Sequence, residues 1–229
     1  MLLWGLPFFM GPSILILLPA LALAIYAQYK VRTTYARYSR VRTARGTTAL
    51  QAAESVLAGE EITDVTIEGI KGTLSDHYDP RGKVLRLSDP QSQSVAAVGV
   101  AAHEAGHAIQ HGRGYRPLML RTSIVPLANF GSQLAFPLFF VGLIFRYQPL
   151  ITVGILAFSV AVLFTLVTLP VEFDASRRAV VALRSTALVN EEELGAVKEV
   201  LFAAALTYVA AAAMAALQLV MLLSLNRRR

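Results

Sequence analysis

The sequence contains no cysteine, so disulfides, thiolate catalysis and cysteine-ligated zinc are all excluded. Charge is scarce too. Only 16% of the 229 residues are Asp, Glu, Lys or Arg, against about a quarter in an ordinary soluble domain. With 55% hydrophobic residues, membrane insertion is expected ahead of a soluble fold. No aromatic residues recur at a spacing that would stack bases, and much of the +6 net charge sits behind one apolar stretch. Nucleic-acid binding is therefore not expected. No G-x-x-x-x-G-K-[ST] phosphate loop occurs, so ATP is not an expected partner.

What the chain does have is long apolar runs. Four of them, at about 5–28, 123–145, 150–170 and 201–225, suit a hydrocarbon core of roughly 30 Å. Ala22-Leu23-Ala24 looks like a cleavage site, but Lys30, Arg32, Arg37, Arg40, Arg42 and Arg45 follow the first run, which fits an anchor better. Only Arg146–Pro149 separates the second and third runs, so these form a tight hairpin. Four crossings put residues 29–122 and 171–200 on one side, together with 17 of the 21 lysines and arginines. Basic loops stay inside, so both polar regions are expected in the cytoplasm. The tail Asn226–Arg229 runs against that rule. The expected fold is a mainly α-helical integral membrane protein with about four transmembrane helices and a small cytoplasmic α+β portion, residues 1–229 forming one domain.

In the first polar region, residues 46–60 read as a short amphipathic helix with Leu50, Ala53, Val56 and Leu57 on one face. Asp79-Pro80-Arg81-Gly82 is a turn signal, with Pro fixing φ and Gly relieving strain. Its flanks, 73–78 and 83–88, are expected to pair as a hairpin whose 83–88 edge could hold an extended peptide. Asp89-Pro90 resembles a helix start, and the Ala- and Val-rich run that follows reads as a buried helix ending at Gly112 or Gly114.

That helix carries HEAGHAIQH, residues 103–111, with three of the four histidines of the chain. His103, Glu104 and His107 match H-E-x-x-H, and the i, i+4 spacing lets both imidazoles reach one ion. Burying them in so apolar a helix is costly unless something satisfies them. Glu104, about 100° round from His103, suits a water beside the ion better than the ion itself. A catalytic zinc takes three protein ligands and leaves one position open. His111 lies about 12 Å of rise from His103, too far for the same ion, and reads instead as a helix C-terminal cation. The longer H-E-x-x-H-x-x-G-x-x-H pattern fails at Gln110 and Arg113. His77 could ligate, but carboxylates offer a better third ligand. No Asp or Glu occurs between Glu104 and Glu172, and two crossings return Glu172 to the face of His107.

SDHYDPRGKVLRLS, then HEAGHAIQH, then LPVEFDASRRA (residues 169–179), on a membrane-anchored chain, resembles the YugP-like neutral zinc metallopeptidases over roughly residues 30–225. The pattern is also distantly similar to HtpX-type membrane proteases, which pair H-E-x-x-H with a glutamate from a second helix. The resemblance implies a zincin-like fold, one Zn²⁺ per chain held by His103, His107 and Glu172, and Glu104 as general base. The wider gluzincin pattern often places an Asp four residues after the third ligand; here Ser176 stands there, with Asp174 two residues after Glu172. HEAGHA is similar to the zinc motif of FtsH-type proteases as well, but those carry a phosphate loop.

The expected activity is endopeptidase cleavage of peptide or membrane-protein substrates at the boundary of a prokaryotic plasma membrane. His77, Tyr78 and Arg178 are candidate oxyanion donors by residue type. The alternative is a zinc-binding membrane scaffold without proteolysis, against which Glu104 speaks, because a structural site needs no base. Oligomeric state, substrate preference and regulatory partners are not encoded in any recognisable pattern.

Overall fold

The protein is described here from a computed structural model covering residues 15–227. Residues 5–14 of the first expected span, and Arg228 and Arg229 of the basic tail, lie outside the described residues. The chain is mainly helical, with helices α1 (Leu18–Tyr38), α2 (Ala49–Gly59), α3 (Val95–Gly112), α4 (Arg116–Ile144), α5 (Gln148–Ser185) and α6 (Glu191–Arg227). Three short strands, β1 (Thr66–Gly69), β2 (His77–Asp79) and β3 (Val84–Leu87), fall between α2 and α3. Helices α1, α4, α5 and α6 are long and apolar enough to cross a membrane.

The chain divides into two compact units. One holds the described residues up to Ala27, Leu120–Thr168 and the chain from Thr207 onward. Its core is built on Ala135, Phe139, Ile151, Phe158 and Leu222. Helix contact there is close: a Cβ on Gly154 would sit 2.7 Å from the Phe139 nitrogen and 2.8 Å from the Ala135 oxygen. Small residues at such crossings let backbones approach where lipid supplies no hydrophobic drive between helices. The α4–α5 hairpin turns over residues 145–147, slightly earlier than the sequence suggested, with the Tyr147 N–H bonded to the Gly142 carbonyl at 2.9 Å.

The other unit, Gln28–Met119 and Leu169–Leu206, contains every candidate site residue named above. Thr48 caps α2 in a reciprocal capping box with Gln51, and Ala49, Ala52, Ala53, Val56 and Leu57 form its buried face. Leu50, expected on that face, is only half-buried. The β2–β3 hairpin exists, but it is shorter than expected and joined by a third strand. β1 runs parallel to β3 in the order β1-β3-β2. β3 is therefore central, and residues 83–88 do not offer the free edge that the sequence suggested. The residue with positive φ in the connection is Lys83 (φ 51), not Gly82, while the Arg81 N–H bonds the Asp79 carboxylate at 3.0 Å.

Helix α3 begins later than Asp89-Pro90 implied. Its N-cap is Ser94, whose hydroxyl accepts from the Ala97 N–H. The physical reason is that three of the four carbonyls of residues 90–93 are spent elsewhere. Pro90 and Ser92 accept from the Leu50 and Ala49 N–H groups in the first turn of α2, and Gln93 accepts from the Thr43 N–H. Helix α5 brings a larger revision. The sequence ends the third span at 170, yet the helix continues unbroken through Pro170 to Ser185. The residues expected just past the span are thus helical as well.

Candidate metal centre

Twelve of the eighteen residues of α3 are buried, most of them Ala, Val or Gly, so most of its surface packs at short range. The closest approach is at Gly106. A Cβ there would lie 2.5 Å from the Ala175 carbonyl oxygen and 3.3 Å from its Cα. No side chain fits, and that contact brings α5 against the H-E-x-x-H turn. On α5, Glu172, Ala175, Ser176 and Ala179 recur at helical spacing, and that face meets α3.

The result is a compact donor set. His103, His107 and Glu172 each offer a ligand atom, all within 4.8 Å of one another. One Glu172 carboxylate oxygen, Oε2, stands 3.3 Å from His103 Nε2 and 3.7 Å from His107 Nε2. Direct charge-assisted N–H···O bonds close to about 2.7–2.9 Å, so these separations are wide for a histidine–glutamate ion pair. Two ligands each about 2.05 Å from a tetrahedral ion are separated by roughly 3.3 Å. Glu172 is 3% exposed, and a carboxylate so buried requires a compensating cation. Two imidazole nitrogens and a carboxylate, without sulfur, suit Zn²⁺.

The opposite edges of the imidazoles are held by protein groups. His107 Nδ1 faces Gln110 Oε1 at 3.0 Å, while Gln110 Nε2 donates to the Val171 carbonyl at 2.8 Å and to Asp174 Oδ2 at 3.0 Å. Two acceptors fix which end of the amide is nitrogen. Its oxygen must then take a proton from His107 Nδ1, leaving Nε2 with its lone pair toward the donor cluster. His103 Nδ1 meets the Ser176 hydroxyl at 3.1 Å. Such outer partners orient ligating histidines and raise their basicity.

Of the remaining sequence candidates, Asp174 does not touch a histidine. It accepts from Gln110, Arg177 and Arg178, and so reaches His107 only through the glutamine. Arg178 is committed to that carboxylate and lies over the Tyr115 ring. His77 bonds the Ser75 carbonyl and Arg86, and is outside the three-residue cluster. His111 is outside it as well, with its Nδ1 2.8 Å from the Tyr78 hydroxyl. Burial first, then the charges of Asp64 and Asp79, push the Tyr78 phenol up to about 12, so it stays protonated. Its main chain has a different partner: the Tyr78 N–H donates to Glu104 Oε2 at 3.0 Å. Strand β2 thereby fixes the carboxylate that follows the first histidine of the motif.

Gln110 and Gly106 are the residues that sequence reasoning missed. Gln110 is completely buried, a costly placement for an amide. Its position one turn after His107 was the available signal.

The family described as "putative neutral zinc metallopeptidase" matches residues 13–227. The "putative membrane protease YugP" of Bacillus subtilis (strain 168) is 45% identical over 201 residues, covering 87% of this chain and 89% of that protein. No solved structure matches the chain. With four helices among the described residues long and apolar enough to span a bilayer, and a donor set suited to zinc, this chain belongs to the family described as "putative neutral zinc metallopeptidase".

Proposed function

We propose that the chain is a gluzincin-like endopeptidase holding one zinc through His103, His107 and Glu172, with Glu104 as general base. The observation that carries this reading is convergence: two histidines of one helix and a glutamate of another meet within 4.8 Å, and a carboxylate adjoins them in the motif. A zinc ion bound there supplies Lewis acidity, acidifying water and polarising a peptide carbonyl. Glu104 accepts the proton of the attacking water at its carboxylate and returns it to the leaving amine. The Tyr78 N–H on Oε2 restrains that carboxylate, so its other oxygen is the one that takes the proton. Gln110 and Ser176 hold the imidazoles in orientation.

The substrate is proposed to be a peptide or a membrane-protein segment near the bilayer, because the ligand Glu172 lies two residues past the apolar stretch ending at Pro170. The basic residues flanking the spans favour a cytoplasm-facing site in the plasma membrane of a prokaryote. A central β3 removes 83–88 as a peptide-pairing edge and leaves β2, beside Glu104, as the strand nearest the chemistry.

The test is casein hydrolysis by the full-length purified protein. Activity should disappear on chelation and return on adding about one equivalent of Zn²⁺. Hydrolysis that persists in the fully metal-depleted protein would leave the non-proteolytic zinc scaffold, or a contaminating protease, as the better account.

A further inference from the structure

Outside the metal centre, α5 and α6 enclose a groove of about 280 Å³ on the surface of their shared unit. Its walls include Phe173, Val181, Leu201 and Phe202, and its cations are Arg177 and Lys198. Phe173, Val181 and Phe202 are 45%, 59% and 57% exposed, which is an unusual concentration of bare apolar surface beside charged groups.

Position along the chain gives the order of the groove residues relative to the apolar stretches. Phe173 lies three residues beyond the apolar stretch that ends at 170, and Phe202 is the second residue of the stretch 201–225. The two helices are joined by only residues 186–190 and run antiparallel. At 1.5 Å per residue, Arg177 lies about 6 Å further from the apolar zone than Phe173, and Lys198 about 6 Å further than Phe202. Phe173, Leu201 and Phe202 thus lie nearer the apolar stretches, the two cations lie beyond them, and Val181 lies a further turn beyond Arg177.

The local charge is positive. Asp174 is the carboxylate bonded to Arg177, and it is shared with Arg178. One negative charge is divided between two guanidiniums. Lys198 adds a third cation, and no carboxylate lines the groove among the described residues. Basic pockets between membrane helices at the edge of the apolar zone recognise anionic lipid headgroups.

We infer that this α5–α6 groove binds an anionic phospholipid, its phosphate held by Arg177 and Lys198 and an acyl chain laid along Phe173, Leu201 and Phe202. Ser176 also lines the groove while contacting His103 Nδ1, so the bound lipid lies against a support of the metal centre. A peptide would also find apolar walls here, but the level of the cations favours the lipid.

The absence of cysteine provides the test. A bimane label on the Phe202→Cys variant of the full-length protein reports on the groove alone. The labelled protein is placed in phosphatidylcholine nanodiscs that contain doxyl-labelled phosphatidylglycerol or doxyl-labelled phosphatidylcholine at equal mole fraction. Quenching by the glycerol lipid is expected to be at least threefold greater. Adding Lys198→Glu should abolish that excess, and Lys198→Arg should preserve it. Equal quenching by the two lipids would overturn the inference, as would an excess that survives Lys198→Glu. Shielding of the label by added casein, with no lipid preference, would assign the groove to peptide instead. The readout needs neither zinc nor proteolysis, so its failure is distinguishable from failure of the peptidase reading.

Discussion

Glu104→Gln is expected to leave about one zinc per chain in place while lowering peptide hydrolysis by about 10³-fold. General-base catalysis contributes roughly 10²–10⁴ in rate, and three decades correspond to about 4 kcal/mol of barrier. Glutamine keeps the shape of the side chain, and its amide oxygen can still accept the Tyr78 N–H that now meets Oε2. It cannot accept a proton from water. The proposed ligands His103, His107 and Glu172 are untouched, so zinc analysis by plasma mass spectrometry should match the wild type while casein cleavage collapses. Wild-type turnover in this variant would remove Glu104 from the mechanism.

Gly106→Ala is the second large effect, and its sign runs against helix propensity. Alanine is favoured over glycine inside a helix by about 1 kcal/mol, so at an open position the change would stabilise the protein. Here the added methyl would fall 2.5 Å from the Ala175 carbonyl oxygen. Backbone atoms cannot rotate away as a side-chain tip can, so α3 and α5 must separate. Overpacking of this kind costs about 1–3 kcal/mol. The separation acts one turn from Glu172, which must stay in reach of two imidazoles on the other helix. Zinc affinity should fall at least tenfold, the lower range seen when the support of a metal ligand is disturbed. A competitive chelator titration with a thermal melt measures both. Unchanged zinc affinity with a raised melting temperature would mean that the helices do not meet as described.

The legibility of this protein in its sequence varied with the range of the interactions involved. The spans were readable because a bilayer demands long apolar runs. The H-E-x-x-H pair was readable because helix periodicity alone fixes which residues share a face. Glu172 could be reached by counting crossings, since a carboxylate-free interval of two spans separates it from Glu104. Gln110 was not legible. Its role depends on Val171 and Asp174, more than sixty residues away, which orient the amide between them. Asp174 posed the same difficulty: on helical spacing it points away from Glu172, and only the position of α3 reveals its link to His107. The start of α3 was misread for a local reason that tertiary structure overrode, because the carbonyls of Pro90 and Ser92 were required by α2. Likewise β3 looked like half of a hairpin until β1 took its other edge.

A single zinc shared by two helices is tested most directly by zinc content after exhaustive dialysis of the wild type and three single variants. Wild type, His77→Ala and His111→Ala are expected to retain about one zinc per chain. Neither histidine joins the cluster in which the three ligand atoms converge within 4.8 Å. Glu172→Ala should retain almost none, because a site with two histidines alone lacks the third protein ligand that such zinc centres use. Full zinc occupancy in Glu172→Ala would contradict the account.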